Sequence, residues 1–207
     1  CAERAIHFVH ISSDAVFDGE RTDAYTERDI PNPLSLYSQT KLDSEHAVFS
    51  ENPDAIVARV NFFGWSLNGR RSLAEFFVNN LSTGKQADGF TDVIFCPILV
   101  NVTAGLLLEM LAKNLSGLYH VVGAQPMSKY QFGIEIARTF GWNEDFISPR
   151  SVLSSVLTAR RSHNLWLSTH KLSTDLGHEI PAFSTGLAEF YTQFQQGYPQ
   201  KIRGYQH

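Results

Sequence analysis

Residues 5–19 read AIHFVHISSDAVFDG, and this stretch decides the class of fold. Its first seven residues are mostly apolar or β-branched, and the polar triplet Ser12-Ser13-Asp14 follows them. A short apolar run that ends in turn-forming residues is typical of a buried β-strand. We therefore predict a strand over residues 5–11, with hydroxyl and carboxylate groups just beyond its carboxyl end.

Helices and strands alternate along the rest of the chain. Leu36–Glu51 has helical periodicity and is stopped by Asn52-Pro53, and a second buried strand is predicted over residues 55–63. The other predicted elements are helices over residues 72–81, 101–113, 128–140, 171–176 and 185–194, strands over 117–122 and 164–167, and an irregular or short-stranded segment over 92–99. Ser128 followed by Gln131 is typical of a capping box. This alternation indicates an α/β fold with a mainly parallel sheet.

Composition and charge exclude several classes of partner. The 207 residues are 43% hydrophobic and 18% charged, with a formal net charge of −4 and no basic run. We therefore expect neither nucleic acid nor a membrane as a partner. Cys1 and Cys96 cannot form a disulfide framework, and the eight histidines lack metal-ligand spacing. These features predict a cytoplasmic protein without a metal site.

The segment Tyr37-Ser38-Gln39-Thr40-Lys41 places a phenol and an ammonium four residues apart on the predicted helix. Side chains with this spacing share one helix face. An ammonium stabilises a nearby phenolate, so such a phenol can exchange a proton at working pH. The Ser13 hydroxyl could hold the same carbonyl oxygen. Taken alone, the spacing favours simpler roles for the two residues, namely a half-exposed aromatic ring and a solvated charge.

Three longer stretches carry a resemblance to a known family. They are residues 11–19 (ISSDAVFDG), 25–33 (YTERDIPNP) and 37–45 (YSQTKLDSE). In this order they resemble the dTDP-4-dehydrorhamnose reductase family of the extended short-chain dehydrogenases. The similarity continues downstream at residues 59–64, 90–97, 117–120, 128–132 and 159–172.

The resemblance implies a fold and an activity. The fold would be the C-terminal portion of a Rossmann-type parallel sheet, with catalytic residues, over 1–64, and mainly a small mixed α/β substrate-binding lobe over 65–207. Some segments of the second part would return to the Rossmann domain. The activity would be NAD(P)H-dependent reduction of a 4-keto nucleotide sugar, with Tyr37 as the proton donor. A homodimer is a possible assembly.

The resemblance also implies site residues in three roles. They are catalytic Ser13, Tyr37 and Lys41, cofactor-binding Tyr37, Lys41 and Asn61, and substrate-binding Asp14, Phe62 and Arg161. A solvated loop is the alternative for Arg161, and core packing is the alternative for one of Phe62 and Phe63.

The chain departs from the family pattern in ways that bear on the cofactor and the sugar. Position 15 is Ala where the family often has Tyr, and position 162 is Ser where Pro is usual. None of the fourteen glycines forms the Gly-x-x-Gly-x-x-Gly turn that holds a cofactor pyrophosphate. We therefore expect about four strands of the cofactor domain to be missing, so the choice between NADP and NAD stays open.

Three functions remain open at this point. The first is the reductase. The second is a non-catalytic regulatory subunit like the methionine adenosyltransferase beta subunit, which the chain also resembles at the family level. The third is an inactive fragment of the reductase, which we expect to self-associate or to be poorly stable because the edge of its first strand would be exposed.

Overall fold

The computed structural model describes residues 1–4, 6–154 and 162–205, and these residues form an α/β fold. The helices are α1 Leu36–Glu51, α2 Leu73–Leu81, α3 Val100–Ala112, α4 Lys129–Phe140, α5 His170–Leu176, α6 Phe183–Gln195 and α7 Tyr198–Arg203. The strands are β1 Val9–Ser13, β2 Ile56–Val60, β3 Phe62–Phe63, β4 Ala87–Phe90, β5 Ile94–Phe95, β6 Ile98–Leu99, β7 Gly117–Val121, β8 Met127–Ser128, β9 Ile147–Arg150 and β10 Asn164–Leu165.

A parallel sheet in the order β1-β2-β7 confirms the predicted fold class. Its carboxyl end is in register, with Ser13 opposite Val60 and Val60 opposite Val121. Helix α1 lies between β1 and β2 in the chain, and α3 precedes β7. This strand–helix–strand order places the ends of all three strands at one edge, where open α/β sheets bind ligands.

The bounds predicted for the first strand were wrong. Pairing with β2 begins at Val9 and continues through Ser13, because the polar residues at its end share the ladder with Arg59 and Val60. Ser13 is therefore the last residue of the strand rather than a residue beyond it. Of the predicted residues 5–11, position 5 lies outside the described part of the chain.

The second predicted strand, residues 55–63, is divided in two at Asn61. Strand β2 is buried along its whole length and ends at Val60. The Asn61 carbonyl accepts a hydrogen bond from the Ile98 amide at 3.3 Å, and β3 then pairs in parallel with β6. The Asn61 side chain is thereby turned toward the end of β1, where its amide donates to Asp14.

Three hydrophobic clusters fill the interior. An aromatic cluster lies among α2, α4 and α6 and includes Phe63, Phe77, Phe132 and Phe190. A largely aliphatic cluster joins β2 and β7 to α3 and α5, and a small third cluster surrounds Phe17. The first cluster supports the small sheets, whereas the second supports the parallel sheet.

Helices α1, α2 and α4 each begin directly after a capping serine. The Ser35 hydroxyl accepts from the Ser38 amide at 3.2 Å, and α1 has the predicted bounds. The predicted capping box of α4 forms only in part: Ser128 Oγ accepts from the Gln131 amide at 3.0 Å, but the Gln131 side chain donates to Glu135 instead. A complete capping box is found at α2, between Ser72 and Glu75.

The segment 162–168 returns to the N-terminal part of the chain. Strand β10 pairs with β5, and Tyr25 bridges Leu167. At Gly19, which has φ +77°, an added Cβ would lie 2.7 Å from the His163 nitrogen. Only glycine tolerates both this backbone conformation and this close approach. The return therefore places residues 162–165 beside the carboxyl end of the parallel sheet.

Two kinds of feature are absent from the described ranges. No helix there is both long and apolar enough to cross a membrane. No group of three or more His, Cys, Asp or Glu side chains there is arranged to hold a metal ion.

Candidate active site

The first turns of α1 bring Tyr37 and Lys41 together at the carboxyl end of β1. The Lys41 ammonium nitrogen lies 6.0 Å from the centre of the Tyr37 ring, and it donates to the Ile11 carbonyl at 3.1 Å. The Tyr37 side chain is exposed, with 58% of its surface accessible. The arrangement therefore leaves the phenol open to a ligand and fixes the lysine to the strand behind it.

Ser13 has a local role as well as the predicted one. Its hydroxyl donates to Asp14 Oδ1 at 3.1 Å and accepts from the Ala15 amide at 3.2 Å, so it caps a single 3₁₀ turn over Asp14–Val16. The side chain is nearly buried. A hydroxyl has one proton and two lone pairs, so an acceptor position remains, but its proton is directed at Asp14.

Asp14 is the most strongly perturbed carboxyl group near the site. Only 4% of the residue is exposed, and burial raises its pKa from 3.8 to about 6. Hydrogen bonds from Asn61 and Ser13 and the positive charge of Lys129 oppose this rise. The carboxyl group therefore changes its charge close to neutral pH, within a network that includes two predicted site residues.

A cleft of about 430 Å³ lies in front of Tyr37. Helix α1 and the loop before it form one wall, and the opposite wall comes from distant parts of the chain. The lining residues are Ala15, Leu34, Ser35, Tyr37, Ser38, Asn61, Val93, Phe95, Lys129, Ser162 and Leu165. Tyr37 and Asn61 thus share one cleft, whereas Ser13, Asp14, Lys41 and Phe62 lie outside this lining set.

The two phenylalanines after Asn61 differ in their surroundings. Phe63 belongs to the aromatic cluster, whereas 47% of Phe62 is exposed. Core packing therefore applies to Phe63 alone. Arg161, the third predicted substrate-binding residue, lies outside the described residues. Its neighbour Ser162 lines the cleft and donates from Oγ to the Phe17 carbonyl at 2.6 Å.

Lys129 is the main site residue that the sequence did not reveal. It stands at the start of α4, lines the cleft and acts electrostatically on Asp14. The sequence showed only that Ser128 starts a helix. A lysine directly after a capping serine was the available signal, but its proximity to the end of β1 depends on the tertiary fold.

A buried polar network lies behind α1, on the side of the parallel sheet. Glu45 accepts from Arg59 at 2.9 Å (Nε) and 2.7 Å (Nη2), and it also accepts from the Ser12 hydroxyl. Arg59 stands between Ser12 and His120 in the strand register. His120 is fully buried, and burial, together with the charge of Arg59, lowers its pKa to about 3. The imidazole is therefore neutral at physiological pH.

The family described as the RmlD substrate-binding domain matches residues 1–196 of the chain. The chain belongs to this family. The match confirms the predicted resemblance, since two solved dTDP-4-dehydrorhamnose reductases have the same fold. The structure from Clostridium acetobutylicum has a TM-score of 0.85 at 26% identity and covers 93% of this chain and 68% of that one. The structure from Bacillus anthracis, in complex with NADP, has a TM-score of 0.82 at 21% identity and covers 90% of this chain and 66% of that one.

Two curated relatives of this RmlD-family chain differ in the function that their names state. A probable low-salt glycan biosynthesis reductase of Haloferax volcanii is 30% identical over 197 residues, covering 94% of this chain and 66% of the relative. The methionine adenosyltransferase 2 subunit beta of Mus musculus is 33% identical over 189 residues, covering 87% of this chain and 56% of the relative. The chain therefore spans between about half and two thirds of the length of these relatives.

Proposed function

We propose that this chain carries the proton-transfer part of a nicotinamide-dependent reductase that acts on a 4-keto nucleotide sugar. The observation that supports this most strongly is the exposed Tyr37 phenol, paired with Lys41 and facing a cleft at the carboxyl end of a parallel sheet. Acidic, amide and ammonium groups surround the same region, as a polar substrate with hydroxyl groups requires.

Tyr37 is the proposed proton donor to the substrate carbonyl oxygen. Lys41 would stabilise the phenolate that remains after the proton has left. Ser13 would hold the same oxygen, which requires its hydroxyl to turn away from Asp14 Oδ1. The substrate would contact Asp14 and Phe62, and Arg161 would bind its phosphates through the guanidinium fork.

The residues present fit the nicotinamide end of NADP or NAD. An ammonium has three N–H donors, and the structure accounts for one of those of Lys41, at the Ile11 carbonyl. A second donor could bind a ribose hydroxyl, next to Tyr37 and Asn61. When bound, the cofactor supplies the hydride for the carbonyl carbon.

The same proposal assigns different parts of the reductase to the two parts of the chain. Residues 1–64 would contribute the catalytic part of the cofactor domain, and residues 65–207 mainly the substrate lobe, with β7 and α5 returning to the parallel sheet.

The test is Tyr37→Phe, measured as oxidation of NADPH or NADH by the complete protein with a 4-keto nucleotide sugar. The variant keeps the ring but has no proton to donate, so we expect kcat to fall by about 100-fold or more while the substrate still binds. Tyr198→Phe is the matched control, since Tyr198 is a partly exposed tyrosine at the start of α7. Near-normal turnover by Tyr37→Phe contradicts the assignment.

A non-catalytic regulatory subunit is the second candidate, because a methionine adenosyltransferase beta subunit is 33% identical to the chain. This function predicts that the protein binds a catalytic synthetase subunit in a fixed ratio and has no reductase activity. Size-exclusion chromatography with the purified synthetase, together with the NADPH assay, separates the two candidates.

A further inference from the structure

The buried Glu45–Arg59 pair joins α1 and β1, which carry the proposed catalytic groups, to β2. Glu45 belongs to α1, Arg59 to β2, and Ser12, which donates to the same carboxylate, to β1. About 3% of each charged side chain is exposed. The pair is therefore sheltered from the screening that makes most surface ion pairs weak.

Each member of this pair lies close in sequence to a proposed site residue. Glu45 is four residues, about one helical turn, beyond Lys41, and Arg59 is two residues before Asn61. On β1, Ser12 directly precedes Ser13. A displacement of the pair is therefore transmitted to the site through one turn of helix and through short lengths of strand.

The geometry of the contact between Arg59 and Glu45 prevents the two side chains from sliding past each other as well as from separating. Two guanidinium nitrogens of Arg59, Nε and Nη2, donate to the two carboxylate oxygens of Glu45 at 2.9 and 2.7 Å. This two-point contact fixes the orientation of both planar groups, which a hydrophobic contact does not do. The guanidinium carbon also lies 4.9 Å from the centre of the Phe17 ring, which limits its movement on that side.

We propose that Glu45 and Arg59 are positioning residues that set the height of α1 against the sheet and thereby place Tyr37 and Lys41 opposite Ser13. This inference rests on the proposed reductase function for its catalytic consequence. Neither residue lines the cleft or touches the substrate in this assignment. Their effect on the reaction passes through α1, and a misplacement of about 1 Å can cost about 100-fold in rate.

Removing one partner alone does not test this idea, because an unpaired buried charge would strongly destabilise the protein. The test variant is therefore the triple change Ser12→Ala, Glu45→Met and Arg59→Met. It replaces all three side chains of the network by apolar groups, so no member of the network is left as an unpaired buried polar group. Such replacements commonly preserve stability.

We expect the triple variant to melt close to the wild type, with kcat lowered by about 10- to 100-fold and KM within about twofold. A purely structural pair would leave kcat unchanged in a folded protein. Tyr119→Phe is the matched control: it removes the part-buried 2.8 Å hydrogen bond from Tyr119, on β7 of the same sheet, to Asp175 on α5, and kcat should not change.

A second measurement does not depend on turnover. The Lys41 amine is held at 3.1 Å from the Ile11 carbonyl, so a displaced helix should increase its rate of acylation by acetic anhydride. Peptide mass spectrometry measures this rate, with the exposed Lys85 as the internal reference. We expect a several-fold increase at Lys41 and no change at Lys85.

The two measurements separate the positioning role from the proposed function. A wild-type protein without reductase activity contradicts the proposed function, and the Lys41 acylation rate then decides the positioning role by itself. In an active protein, a stable triple variant with the wild-type kcat overturns the proposal. In an inactive one, an unchanged acylation rate at Lys41 overturns it.

Discussion

Asp14→Asn is expected to raise the free energy of unfolding above pH 6 and to have little effect near pH 3. Burial raises the pKa of Asp14 from 3.8 to about 6 in the folded protein. Between these values the unfolded chain has lost its proton and the folded chain has not, so the stability of the wild type decreases as the pH rises through this window. Above pH 6 both forms are charged, and the folded protein contains a buried carboxylate.

The magnitude follows from the size of the shift. A difference of about two pKa units corresponds to about 3 kcal/mol of unfolding free energy at pH 7 and above. Asparagine has nearly the same shape, and its amide oxygen can still accept from Asn61. The hydrogen bond between positions 13 and 14 can be kept if the new amide donates to the Ser13 hydroxyl.

Urea unfolding measured between pH 4 and pH 8 tests this expectation. The stability difference between Asp14→Asn and the wild type should increase over pH 4 to 6 and then stay constant. Asp54→Asn, the same change at an exposed aspartate before β2, is the control for the substitution itself. If Asp14→Asn is no more stable than the wild type at pH 8, burial does not raise the Asp14 pKa as described.

Other predictions concern His120, Gly19 and Gly105. The unfolded chain binds a proton at His120 near pH 6.5, whereas the folded chain binds it only near pH 3. The unfolding free energy therefore falls by up to about 5 kcal/mol as the pH drops through that window. His120→Gln should flatten this slope in the same urea titration. Gly19→Ala should lower the unfolding free energy by about 2 kcal/mol or more, because the new Cβ meets backbone at 2.7 Å, and a thermal melt measures the loss. Gly105→Ala adds a methyl group in open space within α3 and should raise the unfolding free energy by about 0.5–1 kcal/mol; an unchanged or lower melting temperature would contradict it.

Sequence reasoning succeeded where local chemistry decides the outcome. The bounds of α1 were predicted correctly because Ser35 caps its first turn and Asn52-Pro53 interrupts the periodicity. Strand bounds were less accurate, because pairing partners determine where a strand begins and ends. Asn61 divides the second predicted strand because it binds Asp14 and Ile98, and neither contact is visible in the local pattern.

In the candidate site too, local features could be predicted and tertiary contacts could not. The spacing of Tyr37 and Lys41 follows directly from helix geometry, and the structure places both at the end of β1. The opposite wall of the cleft could not be predicted, since Phe95, Lys129 and Leu165 come from three separate segments. Only the tertiary fold brings these segments to Tyr37. The buried pair of Glu45 and Arg59 was missed because charged side chains are usually solvated.

The return of residues 162–168 to the N-terminal loops has a consequence for the order in which the chain folds. Ser162 binds the Phe17 carbonyl across 145 positions, and Asn164 binds the Arg21 carbonyl across 143. Contacts this distant in sequence form late, because a long loop must close first. During synthesis on the ribosome, α1 can therefore fold well before the far wall of the cleft exists. A nascent chain ending before residue 162 would display Tyr37 and Lys41 but would lack the side of the cleft that Ser162 and Leu165 form.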